Sequence, residues 1–250
     1  MSGFADHFSR HAPEYAAFRP HYPPALVAWI ASLARDHALA WDVGTGSGQA
    51  ARLLAPHFER VIATDASAEQ LAHAEAHTNV EYGCAPAESS GLASASVDLV
   101  TVAAAIHWFD HPRFYAEVQR VLRPGGVIAV WSYDLVHVSP AIDAITEWFY
   151  EERVGRYWPA GRRHVETRYR ELPFPFEELP FGDWAIEAEL DRAAFVGYVG
   201  TWSAVGRARQ AEGRDPLPEF EARVAPLWPD AKATKPARWP LFARVGRWNG

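Results

Sequence analysis

Two carboxylates and a run of glycines carry the first chemical signal in this chain. Asp42 lies near the end of a short apolar run, Leu39-Ala-Trp-Asp-Val43. Gly44, Gly46 and Gly48 follow at alternate positions before a helical pattern opens at Gln49. A strand, a tight turn and a helix N-terminus in that order are where an α/β protein holds an extended small molecule. Glycine there admits φ > 0 and lets a ligand come close to the backbone. A second acidic residue closes the next apolar run, Val61-Ile-Ala-Thr-Asp65, where it is placed to accept hydrogen bonds from ribose hydroxyls. These features predict a nucleoside-containing cofactor.

The glycine spacing bears on which one. Nicotinamide-binding turns usually read G-x-G-x-x-G, with the third glycine at the helix and the helix N-terminus facing a pyrophosphate. Here the pattern is G-x-G-x-G, with Gln49 in the place of that third glycine. A carboxylate at Asp42, aimed at the loop, repels a pyrophosphate and suits a cation such as a sulfonium. That favours S-adenosylmethionine over NAD(P). Asp65 does not discriminate, since both ligands carry a ribose.

The elements that must position these groups follow from periodicity. Pro23-Pro24 opens a helix to about Arg35, strand one is Leu39–Val43, and a helix over Gln49–Phe58 puts Leu53, Leu54 and Phe58 on one face. Strand two is Val61–Asp65, and Ser67-Ala-Glu-Gln70 fits a capping box. Strands near Val80–Gly83 and over Val97–Val102 come next. A helix from Asp110 to Leu122 tolerates Pro112 in its first turn, and Arg123-Pro-Gly-Gly126 stops it before strand five, Val127–Trp131. Strands alternating with helices at this spacing predict a parallel sheet with its crevice at the carboxyl ends of the strands. After Trp131 the rhythm breaks. Helices are expected over Ile142–Glu152, Asp191–Trp202 and Leu217–Leu227, and a strand over Trp184–Leu190. An irregular stretch is expected over Gly155–Pro180, and a closing strand over Pro240–Val245, with Pro240 acceptable only as its first residue.

Composition bounds the answer. The 250 residues, 49% hydrophobic and 22% charged, are those of an ordinary globular protein with ample length for a core. A formal charge of −7 leaves no basic excess for a nucleic-acid partner. The single cysteine, Cys84, forbids an internal disulfide and a cysteine zinc site. No run reaches the roughly 20 apolar residues of a membrane span, and no signal peptide is legible, so a cytoplasmic protein with no membrane partner is expected. The pairs His7/His11, His73/His77 and His107/His111 lack an identifiable third ligand, so no metal is expected. Aromatic residues crowd the second half, either as extra core or as the walls of a substrate chamber.

With the motifs in hand, a family resemblance is plain. Asp42-Val-Gly-Thr-Gly-Ser-Gly48 resembles the first motif of class I S-adenosylmethionine-dependent methyltransferases. Asp65 matches that family's acidic ribose ligand, Ala87-Glu88 its Ala-Glu pair beside adenine, and Arg123-Pro-Gly-Gly126 its mark before strand five. Tyr15-Ala-Ala-Phe-Arg-Pro-His-Tyr-Pro23 and Ala105-Ile-His-Trp-Phe-Asp110 are similar to small-molecule methyltransferases of the trans-aconitate methyltransferase type. The resemblance implies a doubly wound, mostly parallel seven-stranded sheet in a single domain. Residues 1–36 would cover the cofactor, 37–131 form the binding core, 139–182 an inserted helical and irregular cap, and 183–250 the remaining strands and helices. It also implies that Tyr15 and Arg19 lie near the methionine carboxylate. The full set expected at the cofactor is Tyr15, Arg19, Asp42, Gly44, Thr45, Gly46, Gly48, Gln49, Asp65, Ala66, Ala87, Glu88 and Ala103.

His107 follows strand four on the crevice side. With an unperturbed pKa of about 6.5 it could take a proton from a hydroxyl or a protonated amine, or donate a hydrogen bond to a carboxylate that needs no base. Trp108 is expected as an aromatic wall. Arg162 and Arg163, with Arg153, Arg156 and His164 nearby among Tyr157, Trp158 and Tyr169, suit a planar or aromatic anion. The expected substrate set is therefore His107, Trp108, Tyr157, Trp158, Arg162 and Arg163. The expected reaction is transfer of a methyl group to an oxygen or nitrogen of a small organic acceptor, a carboxylate or hydroxyl preferred, by a monomer or homodimer. An NAD(P)-dependent oxidoreductase and a non-catalytic cofactor binder stand as the alternatives.

Overall fold

The computed structural model describes residues 18–250. Its first half follows the expected alternation. Helix α1 (Pro24–Ser32), β1 (Leu39–Val43), α2 (Gln49–Leu54), β2 (Arg60–Asp65), α3 (Ala68–Leu71) and β3 (Val80–Cys84) are followed by β4 (Val97–Ala103), α4 (His111–Val121) and β5 (Leu122–Tyr133). The second half holds α5 (Pro140–Trp148), α6 (Arg162–Glu166), β6 (Glu177–Leu179), β7 (Trp184–Leu190), α7 (Arg192–Gly200), α8 (Ser203–Glu212), α9 (Leu217–Val224) and β8 (Lys235–Arg247). Strands β3, β2, β1, β4 and β5 lie parallel in that order, and β8 runs antiparallel beside β5. Both β6 and β7 pair with the far side of β8, at its two ends, so the sheet has eight strands where seven were expected. The winding reverses between β1 and β4, which opens the crevice at their carboxyl ends.

Alternate residues of the central strands feed two cores. Ala40, Leu99, Val127, Ala129 and Trp131 face one layer with Leu26 and Ile30 of α1 and Leu54 of α2. Trp41, Val100, Val102, Ile128 and Val130 face the other, against Phe114, Val118 and Val121 of α4. Burial on both faces is why these strands read as nearly continuous apolar runs. Local chemistry sets the ends. Asp110 caps α4, accepting from the Arg113 N–H at 3.3 Å, and Ser67 caps α3 by accepting from Gln70 N–H. Helix α2 ends at Leu54, short of the expected Phe58, because Pro56 lacks an N–H and the chain tightens into a 3₁₀ turn over Ala55–His57.

Three expectations need correction. Arg123-Pro-Gly-Gly126 is not a turn between helix and strand: β5 begins at Leu122, and these residues form an irregularity within it, between the Val97–Leu122 and Leu99–Val127 pairs. Helix α8 was not foreseen, although Gly213, at φ 68° just past its end, is the usual stop signal. Pro240 lies inside β8, with Pro236 also in that strand. It is tolerated because its nitrogen points toward β5, where the pairing ends at Tyr133–Leu241. Its own carbonyl still accepts from Asp134 N–H at 2.9 Å, and the β7 side keeps its ladder.

Arg123 explains the irregularity. Its guanidinium reaches Asp98 Oδ1 at 2.5 Å, while Asp98 Oδ2 accepts from the N–H groups of Ala38 and Leu39 at 2.9 Å each, fixing the start of β1. Asp98 is 4% exposed, so truncation strands two amide donors and a guanidinium together. Asp98→Ala is expected to cost about 3 kcal/mol, against about 1 kcal/mol for the half-exposed Arg123→Ala. Urea denaturation of the two variants measures both.

Candidate functional site

The loop after β1 is lashed to three strands. Thr45 N–H donates to Thr64 O at 3.0 Å and Gly46 N–H to Asp65 Oδ2 at 2.8 Å, which ties the loop to β2. The Thr45 hydroxyl donates to Asp42 Oδ2 at 2.6 Å, while the Thr101 hydroxyl on β4 donates to Asp42 Oδ1 at 2.7 Å. All three loop glycines have φ between 57° and 82°. Their reasons differ, however. A Cβ at Gly44 would overlap Ala105, and one at Gly48 would overlap the Tyr82 ring. Only Gly46 faces open space, with Gln70 Oε1 the nearest atom at 3.8 Å. Close approach of a ligand therefore explains one glycine, and protein packing explains the other two.

Asp42 also departs from expectation. It is 1% exposed and sits beneath the loop, off the cavity wall, so it acts on a ligand through its field rather than by contact. Burial raises its pKa to about 6, the Asp65 charge adds to that rise, and the two threonine hydroxyls oppose it.

Above the loop lies a cavity of about 710 Å³, within the range of small-molecule sites. Arg19, Gly44, Thr45, Gly46, Gln49 and Asp65 line it. Ala66, Ala87, Glu88, Ala103 and Trp108 are also on its wall. Gly48 is not, and Tyr15 lies outside the described residues. Asp65 is held rigidly, with Oδ2 on Gly46 N–H and Oδ1 on Ser67 N–H at 2.9 Å. Gln49 accepts from Tyr22 N–H at 2.9 Å, which fastens the leading segment to the start of α2. Glu88 accepts from Asp110 N–H at 2.8 Å. Tyr133, at the end of β5, is not among the residues expected at the site, and it accepts a hydrogen bond from Arg19.

A smaller cavity of about 60 Å³ abuts the first, sharing Arg19, Ala104, Trp108 and Tyr133 with it. His107, Trp158 and Arg162 lie on its wall, so those expected substrate residues converge. Two others do not. The Tyr157 hydroxyl donates to Glu212 at 2.9 Å, and Arg163 turns to solvent, paired with Glu171 at 2.9 Å. His107 does not keep its ordinary basicity: burial, followed by the charges of Arg162, His164 and Arg19, lowers its pKa to about 3. The imidazole is neutral at neutral pH and a poor proton acceptor. Among the described residues no cluster of His, Cys, Asp and Glu could hold a metal ion, and no helix is long and apolar enough to cross a membrane.

Comparison with known proteins places this geometry. Residues 41–130 match a family model described as a methyltransferase domain. A protein of Dictyostelium discoideum named as a methyltransferase is 36% identical over 222 residues, covering 87% of this chain and 84% of that one. A methyltransferase of Aspergillus candidus is 36% identical over 241 residues, covering 83% of this chain and 75% of its own. The solved structure of an Anaeromyxobacter dehalogenans protein, described as a type II methyltransferase, is similar with a TM-score of 0.86 at 45% identity, across 92% of this chain and 98% of that one. The chain belongs to the class I S-adenosylmethionine-dependent methyltransferases. The dinucleotide and non-catalytic alternatives are thereby set aside.

The raised pKa of Asp42 has a definite sign. A carboxyl with a folded pKa near 6 and an unfolded value near 3.9 favours the folded state most when protonated. Its contribution is therefore lost as pH rises from about 4 to about 6. Asp42→Asn is expected to abolish that loss, so that the variant gains about 2–3 kcal/mol on the wild type between pH ~4 and pH ~7. Urea denaturation of both proteins across this range supplies the difference.

Proposed function

We propose that this methyltransferase moves a methyl group to an oxygen of a small carboxylate, bound in the smaller cavity between Arg162, Arg19 and His107. Arg162 is the observation that carries the reading. Arg153, Arg156, Arg163 and Arg168 on the surrounding segment each pair with a carboxylate. Arg162 forms no ion pair among the described residues. Its guanidinium lies over the Trp158 ring at 4.5 Å and donates to the Tyr150 hydroxyl at 2.6 Å, which holds it against the cavity wall. Glu166 meets this cation through the Tyr150 hydroxyl, which donates to that carboxylate at 2.7 Å, and the remaining guanidinium N–H groups suit an anionic ligand. His107 supports the same choice, because an acceptor already ionised needs no base, and this imidazole is a poor one.

The larger cavity fits S-adenosylmethionine. Asp65 is fixed where ribose hydroxyls would meet it, Gly46 leaves room where a Cβ would intrude, and Arg19 supplies a cation for the amino-acid end. When bound, that cofactor supplies a methyl group on a sulfonium. The chain's own task is alignment and exclusion of water. Trp108 and Tyr133 stand at the boundary shared by the two cavities, and Trp158 with Trp202 wall off the acceptor side. The segment between β5 and β6 brings Arg162 and Trp158 there.

Calorimetric titration is expected to show S-adenosylhomocysteine binding without NADH binding; NADH binding alone would defeat the cofactor assignment. In a radiolabelled methyl assay over small mono- and dicarboxylates, Arg162→Ala should raise the acceptor KM about 10- to 100-fold, the equivalent of one charged hydrogen-bonded contact. Arg163→Ala should leave it unchanged, since that side chain faces Glu171. Equal effects of the two substitutions would remove the assignment of the acceptor site.

A further inference from the structure

Helix α5 does not stop at Trp148. It widens into a single π-turn over Phe149–Arg153, where Val154 N–H reaches back five residues to Phe149 O at 3.0 Å. Single π-turns of this kind occur frequently at functional sites. Tyr150 lies in the turn, 7% exposed, and supports the smaller cavity from behind through two different atoms. Its carbonyl accepts from the Trp158 indole N–H at 3.1 Å, and its hydroxyl accepts from Arg162 Nε–H at 2.6 Å. Its ring lies 4.7 Å from that of Trp158 and meets Trp202 edge-on at 5.7 Å. Trp158, Trp202 and Arg162 are all on the cavity wall, and Tyr150 is not.

The direction of each bond is set by chemistry. A guanidinium has no acceptor, so the phenolic oxygen must accept from Arg162 and send its own hydrogen elsewhere. Glu166 takes that hydrogen at 2.7 Å, which keeps a phenol lone pair turned toward Nε. This is the only hydrogen bond that Arg162 makes among the described residues, and it engages Nε alone. The two terminal nitrogens are left for a ligand. Stacking over Trp158, at 4.5 Å, holds the guanidinium from its flat face. An unrestrained arginine loses rotamer freedom on gripping an anion, and one already held at Nε loses less.

We infer that Tyr150 is a positioning residue for the methyl acceptor: its hydroxyl sets the Arg162 guanidinium and its carbonyl sets the Trp158 ring, presenting cation and aromatic wall to the smaller cavity as one preorganised unit. That Arg162 then grips an anionic acceptor rests on the function proposed above; the fixing of Arg162 by Tyr150 does not. Tyr150 acts through these two side chains, because it stays behind the wall they form.

Nitrogen-15 NMR on the ligand-free protein labelled at arginine tests the fixing directly, with the Arg162 Nε–H signal assigned by its loss in Arg162→Lys. That proton is expected to exchange with water at least 10-fold more slowly than those of exposed arginines, and Tyr150→Phe should remove the protection. In turnover, Tyr150→Phe should raise the acceptor KM about 10-fold, the size of one hydrogen bond to a charged group, with the KM for S-adenosylmethionine unchanged. In an Arg162→Ala background the same substitution should add nothing, because the residue it acts through is gone. A residue that merely supports the fold would raise KM alike in both backgrounds, and that result overturns the inference. So does an unprotected Arg162 Nε–H in the wild type, or protection that survives in folded Tyr150→Phe. Should that variant not fold, Glu166→Ala releases the phenol from the exposed end of the row, and full protection there overturns the inference equally. Failure of the carboxylate reading looks different: Arg162→Ala would leave the acceptor KM unmoved while the Nε–H protection still depended on Tyr150.

Discussion

Asp42, one residue before the end of β1, is buried, and each of its oxygens is taken by a threonine hydroxyl, one from the glycine loop and one from β4. Burying a carboxylate is costly, and the rise of its pKa to about 6 records how much of that cost the two hydroxyls leave uncompensated. What the arrangement secures is the shape of the loop. Thr45 is fixed from below by Asp42 and from the side by Thr64, so Gly46 is left projecting over the crevice with its N–H on Asp65. Move that carboxylate and the link between β1, β4 and the loop is lost together. Its negative charge lies beneath the glycine loop, a setting that disfavours an anionic group over the loop.

The aromatic second half resolves into two populations. Trp131, Trp228 and Trp239 are fully buried and serve the core, whereas Trp158, Trp202 and Tyr198 stand on the smaller cavity. Tyr150 and Trp158 also form the platform that holds the Arg162 guanidinium, at 5.1 and 4.5 Å from the two ring centres. The aromatic faces attract the cation electrostatically, and the Tyr150 hydroxyl links it to Glu166. Arg153 and Arg156 pair with Glu212, Arg163 with Glu171 and Arg168 with Asp134, while Arg162 and Arg19 stand on the smaller cavity. The same surroundings disfavour a proton on His107. Burial does most of this, and the charge of Arg162 adds to it.

Sheet closure shows a similar economy. Strand β8 carries Pro236 and Pro240, yet it joins β5 on one side and both β6 and β7 on the other. The prolines are spaced so that their missing N–H groups face the β5 side beyond the end of that ladder. The strand can therefore serve two partners without an unsatisfied position between them. Arg123 and Asp98 do comparable work at the opposite end, where the irregular start of β5 is braced against the start of β1.

The sequence by itself determined the cofactor half. Strands at Leu39–Val43 and near Val61–Asp65 and Val97–Val102, the glycine loop and Asp65 are all legible because backbone constraints act locally there. Alternating apolar runs, φ > 0 at glycine and a helix cap each leave a mark within a few residues. Tertiary structure alone decided the rest. That Gly44 and Gly48 answer to Ala105 and Tyr82, that Arg162 reaches the cavity while Arg163 does not, and that Tyr169 stands behind His107 are contacts between distant segments. Adjacent arginines are identical in composition and local pattern, and the packing of α6 against the Ile106–Trp108 turn separates them. The basicity of His107 is decided the same way, because burial and neighbouring charge are properties of the assembled fold.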